Sequence, residues 1–192
     1  MNKKIWLFNG SDTNGWKTRE GNQIDWLASE DYMTVGSGDI ISRETYGDAH
    51  VHVEFACPDM PEAKGQGKGN SGVYVHGAYE IQVLDSYGLE PSMWDCGAVY
   101  GCHAPLTIAS LPPEEWQTYD IFFRAPRIGD NGEIIEKARL TLLHNDIVIH
   151  NNIILEKTTP QGVTDEIKAE GPLLLQDHGD KVRYRNIWLI KL

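Results

Sequence analysis

The feature that most constrains this chain is alternation: apolar and polar residues trade places at every second position in short runs, and helical periodicity is almost absent. Clear strand candidates are residues 49–56, 72–76, 80–84, 118–125, 138–144, 147–150, 173–176 and 182–192, punctuated by Gly, Pro, Asn and Asp at hairpin intervals. Eight to a dozen short strands without a parallel βαβ pattern imply a sandwich or a barrel. A length of 192 residues suits a jelly-roll sandwich of two antiparallel sheets, an all-β fold. One domain over residues 1–192 is the expectation at this size. A lone short helix is expected near 112–116, and the Gly-rich stretch 60–70 reads as a loop inside the domain.

Composition narrows the partners. Lys and Arg total 17 against 28 Asp and Glu, a net charge of -11, which disfavours nucleic acid or an anionic membrane as the main partner and suits a neutral one. With 23% charged and 41% hydrophobic residues, the chain reads as an ordinary globular protein with no membrane-spanning segment. The opening Met1-Asn2-Lys3-Lys4 has the basic start of a signal peptide, but the apolar run after it stops at Asn9-Gly10, so no signal peptide is expected and the compartment stays open. Cys96 and Cys102 are spaced so that a bridge between them is conceivable. With Cys57 they make an odd set lacking C-x-x-C spacing, and free, partly buried thiols are favoured.

The most informative segment runs from Gly69 to Asp85. On its first strand Val73 and Val75 oppose Tyr74 and His76; on its second Ile81 and Val83 oppose Glu80 and Gln82. A two-residue turn at Gly77-Ala78 would set Val75 beside Glu80 and mix the faces. A three-residue loop over 77–79 instead pairs His76 with Glu80 and Tyr74 with Gln82, and is the expected register. One sheet face then carries Tyr, His, Glu and Gln together, a set able to bind sugar hydroxyls and move protons, although exposed sheet faces are polar in any sandwich.

Other polar sets are weaker. His50, His52 and Glu54 share one face of one strand, a spacing that could hold a metal but more often marks a solvated face. His178, at a strand end before Gly179, is an acid/base candidate, and a turn histidine bonded to backbone fits as well. Arg183 and Arg185 share a face that strict alternation would also give to Ile187 and Leu189. A bulge near Asn186 would resolve the conflict and leave the arginines as hydroxyl or oxyanion donors, as partners of carboxylates, or simply on an exposed edge.

Taken in order, several strings resemble the 3-keto-disaccharide hydrolase family over nearly the whole chain. They include Leu7-Phe8-Asn9-Gly10 with Gly15-Trp16, the hairpin from Gly69 to Gly88, and Gly97-Ala98-Val99-Tyr100-Gly101. The run continues through Glu115-Trp116-Gln117-Thr118-Tyr119-Asp120-Ile121, the stretch Gly171-Pro172-Leu173-Leu174-Leu175-Gln176-Asp177-His178-Gly179, and the closing strand up to Trp188. The resemblance implies a concanavalin A-like sandwich with its site on the concave sheet. It also implies a small carbohydrate substrate, a glycoside already oxidised to a ketone at C3. Such a ketone acidifies the C2 proton, so that a base can remove it, the C1 aglycone leaves by β-elimination with help from an acid, and hydration completes net hydrolysis.

On that resemblance Glu80 and His178 are the catalytic pair, in either order, with His76 tuning Glu80. Gln82, Gln176, Arg183 and Arg185 would position hydroxyls or the enolate, Tyr74 and Tyr100 would offer stacking surface, and Glu54 and Asp85 would join the substrate-binding face. A divalent metal could polarise the ketone, although no compact ligand motif is visible. The run Glu80-x-Gln82-x-x-Asp85 stands where related glucanases carry E-x-D-x-x-E, with an amide at its centre. Two other readings stay open, a non-catalytic carbohydrate-binding module and a conventional glucanase.

Overall fold

The computed structural model describes residues 3–192, so the Met1-Asn2 part of the basic opening lies outside the described residues. The strands are β1 (Ile5–Phe8), β2 (Trp16–Thr18), β3 (Leu27–Ser29), β4 (Tyr32–Thr34), β5 (Ile40–Tyr46), β6 (Ala49–Ala56), β7 (Ser71–Val75), β8 (Tyr79–Val83), β9 (Gln117–Arg124), β10 (Arg127–Ile128), β11 (Ile134–Glu136), β12 (Arg139–His144), β13 (Ile147–Ile154), β14 (Gly171–Leu175) and β15 (Arg183–Lys191). They form an antiparallel sandwich. One sheet runs β13-β12-β9-β6-β15-β4-β3, with β1 also paired to β15; the other runs β2-β5-β14-β7-β8; β10 and β11 form a separate ribbon. Among the described residues no helix is long and apolar enough to cross a membrane.

Alternation builds the core. Along β6 and β9 every second residue is buried, so Val51, Val53, Phe55, Tyr119, Ile121 and Phe123 project inward from the large sheet. Val73, Val75, Ile81, Val83, Leu173 and Leu175 meet them from the five-stranded sheet in one hydrophobic cluster. The expected helix at 112–116 is a turn, and a short 3-10 turn at Gly65–Gly67 is the helical element within the loop 60–70. All three cysteines are free, with Cys57 and Cys96 buried.

Strands β7 and β8 depart from half-burial: every residue in both is buried. Their inner face packs on the core, and their outer face is roofed by two connecting segments. The segment 97–100 attaches to the edge of β8, with Gly97 N–H donating to the Gln82 carbonyl (2.9 Å), Gln82 N–H to Ala98 O (3.0 Å) and Tyr100 N–H to Glu80 O (3.1 Å). These bonds close an edge that would otherwise stay open. From the other side Thr159 Oγ1 accepts the Glu80 N–H (2.8 Å), and Val163 N–H donates to Gly77 O (2.6 Å).

Candidate active site

Beneath this roof, polar side chains that alternation assigns to an outer face are instead buried: Glu80 and Gln176 are each 4% exposed and Gln82 1%. Buried polar side chains are costly unless paired, and Gln82 Oε1 and Gln176 Oε1 have no hydrogen-bond partner. With Gln66, Asn70, Tyr100, Pro160, Gln161 and His178 these three residues line a small cavity of about 40 Å³. Glu80 is the one carboxyl in that lining.

Glu80 is held from beneath. The β7–β8 loop does have three residues, but they are 76–78: Val75 pairs with Tyr79, Tyr74 with Glu80 and Gly72 with Gln82. The expected register is therefore off by one residue in loop position. Tyr79, read as a loop residue, is a core-facing strand residue against Phe123 (5.9 Å between centroids), and burying that ring pulls the turn back to His76. Gly72, opposite Gln82, leaves space that no other residue could. A Cβ there would lie 2.8 Å from Glu80 Oε1 and 2.9 Å from the Tyr74 ring.

Burial pushes the Glu80 carboxyl up from its ordinary 4.5 to about 7; a hydrogen bond with Tyr74 opposes the rise and the negative charge of Asp39 adds to it. Tyr74 is fully buried beside Ile41 and Leu174, so its ring offers no stacking face, contrary to expectation. Its hydroxyl also lies 3.1 Å from Pro160 O, a second acceptor competing for its one proton, and accepts from Gln176 Nε2 (3.1 Å). Gln66, unremarked in the sequence, ties the cavity together: Oε1 accepts from Gln82 Nε2 (2.9 Å) and Nε2 donates to Trp94 O (2.8 Å). Asn70 donates to Gln66 O (2.7 Å). His178 stands exposed at the rim on a pinned tip, where Asp177 accepts from the N–H groups of Gly38 and Gly179 (each 2.8 Å).

Several expected members lie elsewhere. His76 sits in the turn at φ 55°, buried against Tyr46 and Phe123, with Nε2 3.2 Å from Gly47 O, so it neither pairs with Glu80 nor tunes it. Asp85 falls beyond β8, and its carboxylate pairs with Lys68 (2.9 Å), bracing the loop 60–70 outside the cavity lining. Glu54, Arg183 and Arg185 belong to the other sheet. The bulge between Arg185 and Trp188 is present, with Asn186 at φ 47°, and it puts both arginines on the outer face of the large sheet. There Arg185 binds Glu54 (2.6 Å) and lies over Trp116, while Arg183 pairs with Glu114. A single strand's pattern gives the face but not the sheet.

His50 and His52 give their rings to Asp120 Oδ1 (2.8 and 2.9 Å). Partial burial pushes the Asp120 carboxyl up, but the two imidazoles outweigh it and hold it well below the usual carboxylate range. Among the described residues no three His, Cys, Asp or Glu side chains group so as to hold a metal ion, the His50, His52 and Glu54 set included.

The model for the 3-keto-alpha-glucoside-1,2-lyase-like domain matches residues 3–190. A crystal structure from Parabacteroides distasonis ATCC 8503, described as a glycosyl hydrolase by inference, is 31% identical with a TM-score of 0.90, covering 98% of this chain and 84% of that one. A second from the same organism and similarly described is 20% identical with a TM-score of 0.72, covering 98% and 94%, and shows the fold alone. So does a carbohydrate-binding module, CBM66 from Bacillus subtilis, at 13% identity and a TM-score of 0.52, covering 92% and 96%. No curated protein matches.

Proposed function

The chain belongs to the 3-keto-alpha-glucoside-1,2-lyase-like family, and from that premise we propose that it cleaves 3-keto-glycosides, with Glu80 as the base that removes the C2 proton. The observation that carries the reading is a lone buried carboxyl, raised to about 7, on the floor of a polar cavity. A base of that strength suits a carbon acid activated by a neighbouring ketone. The pair of electrons from the C2–H bond moves into C2–C3 as the ketone becomes an enolate. Return of the ketone expels the C1–O bond pair and leaves a C1=C2 double bond.

His178, exposed at the rim where it can exchange protons with water, gives a proton to the departing oxygen. Addition of water at C1, with a proton returned to C2, completes net hydrolysis. The unpartnered oxygens of Gln82 and Gln176 accept hydrogen bonds from sugar hydroxyls. Hydrolysis by two carboxyl groups has less support, because Glu80 has no second carboxyl beside it in the lining and Asp85 is held by Lys68. The test is incubation of the purified protein with 3-ketosucrose or 3-ketotrehalose and with the unoxidised parents. Turnover of the ketones alone is expected. Cleavage of the parents would favour a conventional glucanase, and binding without turnover a carbohydrate-binding module.

A further inference from the structure

The roof over Glu80 is pinned by an ion pair that lies outside the cavity lining. Strand β2 pairs with β5 so that Thr18 faces Ile40, and one step further along the same two chains Arg19 meets Asp39. Its Nε and one terminal nitrogen donate to the same carboxylate oxygen (2.9 and 2.5 Å). The guanidinium also turns to the roof, donating to Gly162 O (2.8 Å) and to Gln161 O. The other oxygen of Asp39 accepts the N–H of Asp177 (2.8 Å), at the root of the tip that carries His178. One ion pair thus ties together two segments that meet at the cavity, where Pro160 and Gln161 line it from the roof and His178 from the tip.

Two features of the roof call for such a hold. Gln161 sits at φ 64°, a left-handed backbone that a residue with a Cβ adopts at a cost, and its side chain accepts from Gln176 Nε2 (3.4 Å). Gly162 lies so close to the hairpin turn that a Cβ there would come within 2.5 Å of Gly77 O. The roof is strained at one residue and pressed at the next, and the carbonyls of these two are the ones Arg19 holds. A planar guanidinium fork can serve a carboxylate and two carbonyls at once in a fixed geometry. Resting on the function proposed above, we infer that Arg19 and Asp39 are positioning residues, a latch that holds Gln161 and His178 in place over Glu80. The carboxylate also acts through its charge. The titratable side chains around Glu80 are Tyr74 on β7 and Tyr100 and His178 in the lining, and burial keeps both tyrosines protonated. The negative charge that raises the proton affinity of Glu80 comes from Asp39.

Wild type, R19A and D39N are compared by hydrogen exchange and by turnover of 3-ketosucrose. Exchange at the amides of Thr159, Val163 and Asp177, each hydrogen-bonded in the structure, is expected to quicken roughly tenfold or more in both variants. Strands β6 and β9 should stay as protected as in the wild type, which shows that the variants fold. We expect kcat/KM to fall roughly tenfold in both. In D39N its rise with pH should also move toward acid, because a negative charge near Glu80 is gone. Unchanged exchange at the three amides would overturn the latch. Faster exchange with wild-type kcat/KM and an unmoved pH profile would overturn the positioning role and leave a purely structural pair. A wild-type protein that turned over no ketone would sink the proposed function, with exchange still deciding the latch.

Discussion

Burial of Glu80 acts in opposite directions on chemistry and on folding. The raised proton affinity that suits the carboxylate to the proposed role of base also makes its ionisation costly in the folded state. With an unfolded value near 4.5 and a folded one of about 7, the folded protein is most favoured below pH 4.5 and loses stability as pH rises through 7. At about 1.4 kcal/mol per tenfold change in proton affinity, the loss amounts to about 3 kcal/mol. Glu80→Gln should therefore raise stability to chemical denaturation at pH 8 and change it little at pH 4; equal effects at both would contradict the burial argument. The same variant, and His178→Ala, should each lower turnover roughly 10²–10⁴-fold. In the wild type kcat/KM should climb through about pH 7 as Glu80 ionises, a limb that Glu80→Gln removes.

At the scale of the hairpin, Gly72 and the turn decide where that carboxyl points. Ala at position 72 suits an extended strand, but its methyl group would press on Glu80 Oε1 and the Tyr74 ring. Gly72→Ala should lower kcat by roughly ten- to a hundredfold through misplacement of the base, with the fold retained by circular dichroism. Full activity would show that the position of Glu80 is not critical. The strands and their faces were legible from alternation: Ala49–Ala56 is a strand with the expected bounds, and the Asn186 bulge sits where two conflicting faces demanded it. The turn shifted by a single residue because the pull of Tyr79 toward Phe123 is a tertiary contact that no local pattern carries. The short strands β1 to β4 are not legible for a related reason, since three or four residues give alternation too little length to register.

For the whole molecule, pairing across long sequence separations decides which polar residues meet. Glu80, Gln82, Gln176, Tyr100 and His178 converge because β14 lies beside β7 and two loops fold over β8. Glu54 and Arg185 satisfy each other on the other sheet and Arg183 is taken by Glu114, although in sequence all three candidates look equally suited to the site. Gln66, Asn70 and Gln161 come from aperiodic loops, where composition gives no sign of a role. The roof over β7 and β8 accounts for a polar face that is buried and keeps two unpartnered amide oxygens, while that of the large sheet is internally paired.

The central claim, removal of the C2 proton by Glu80, is tested most directly by running the reaction in D₂O and following the C2 position of the released 3-keto sugar by NMR at early times. Elimination followed by hydration predicts deuterium at C2 beyond the exchange in an enzyme-free blank, and none above the blank with Glu80→Gln. Release of the sugar with its C2 hydrogen retained, together with no slowing of kcat/KM on a substrate deuterated at C2, would contradict the account.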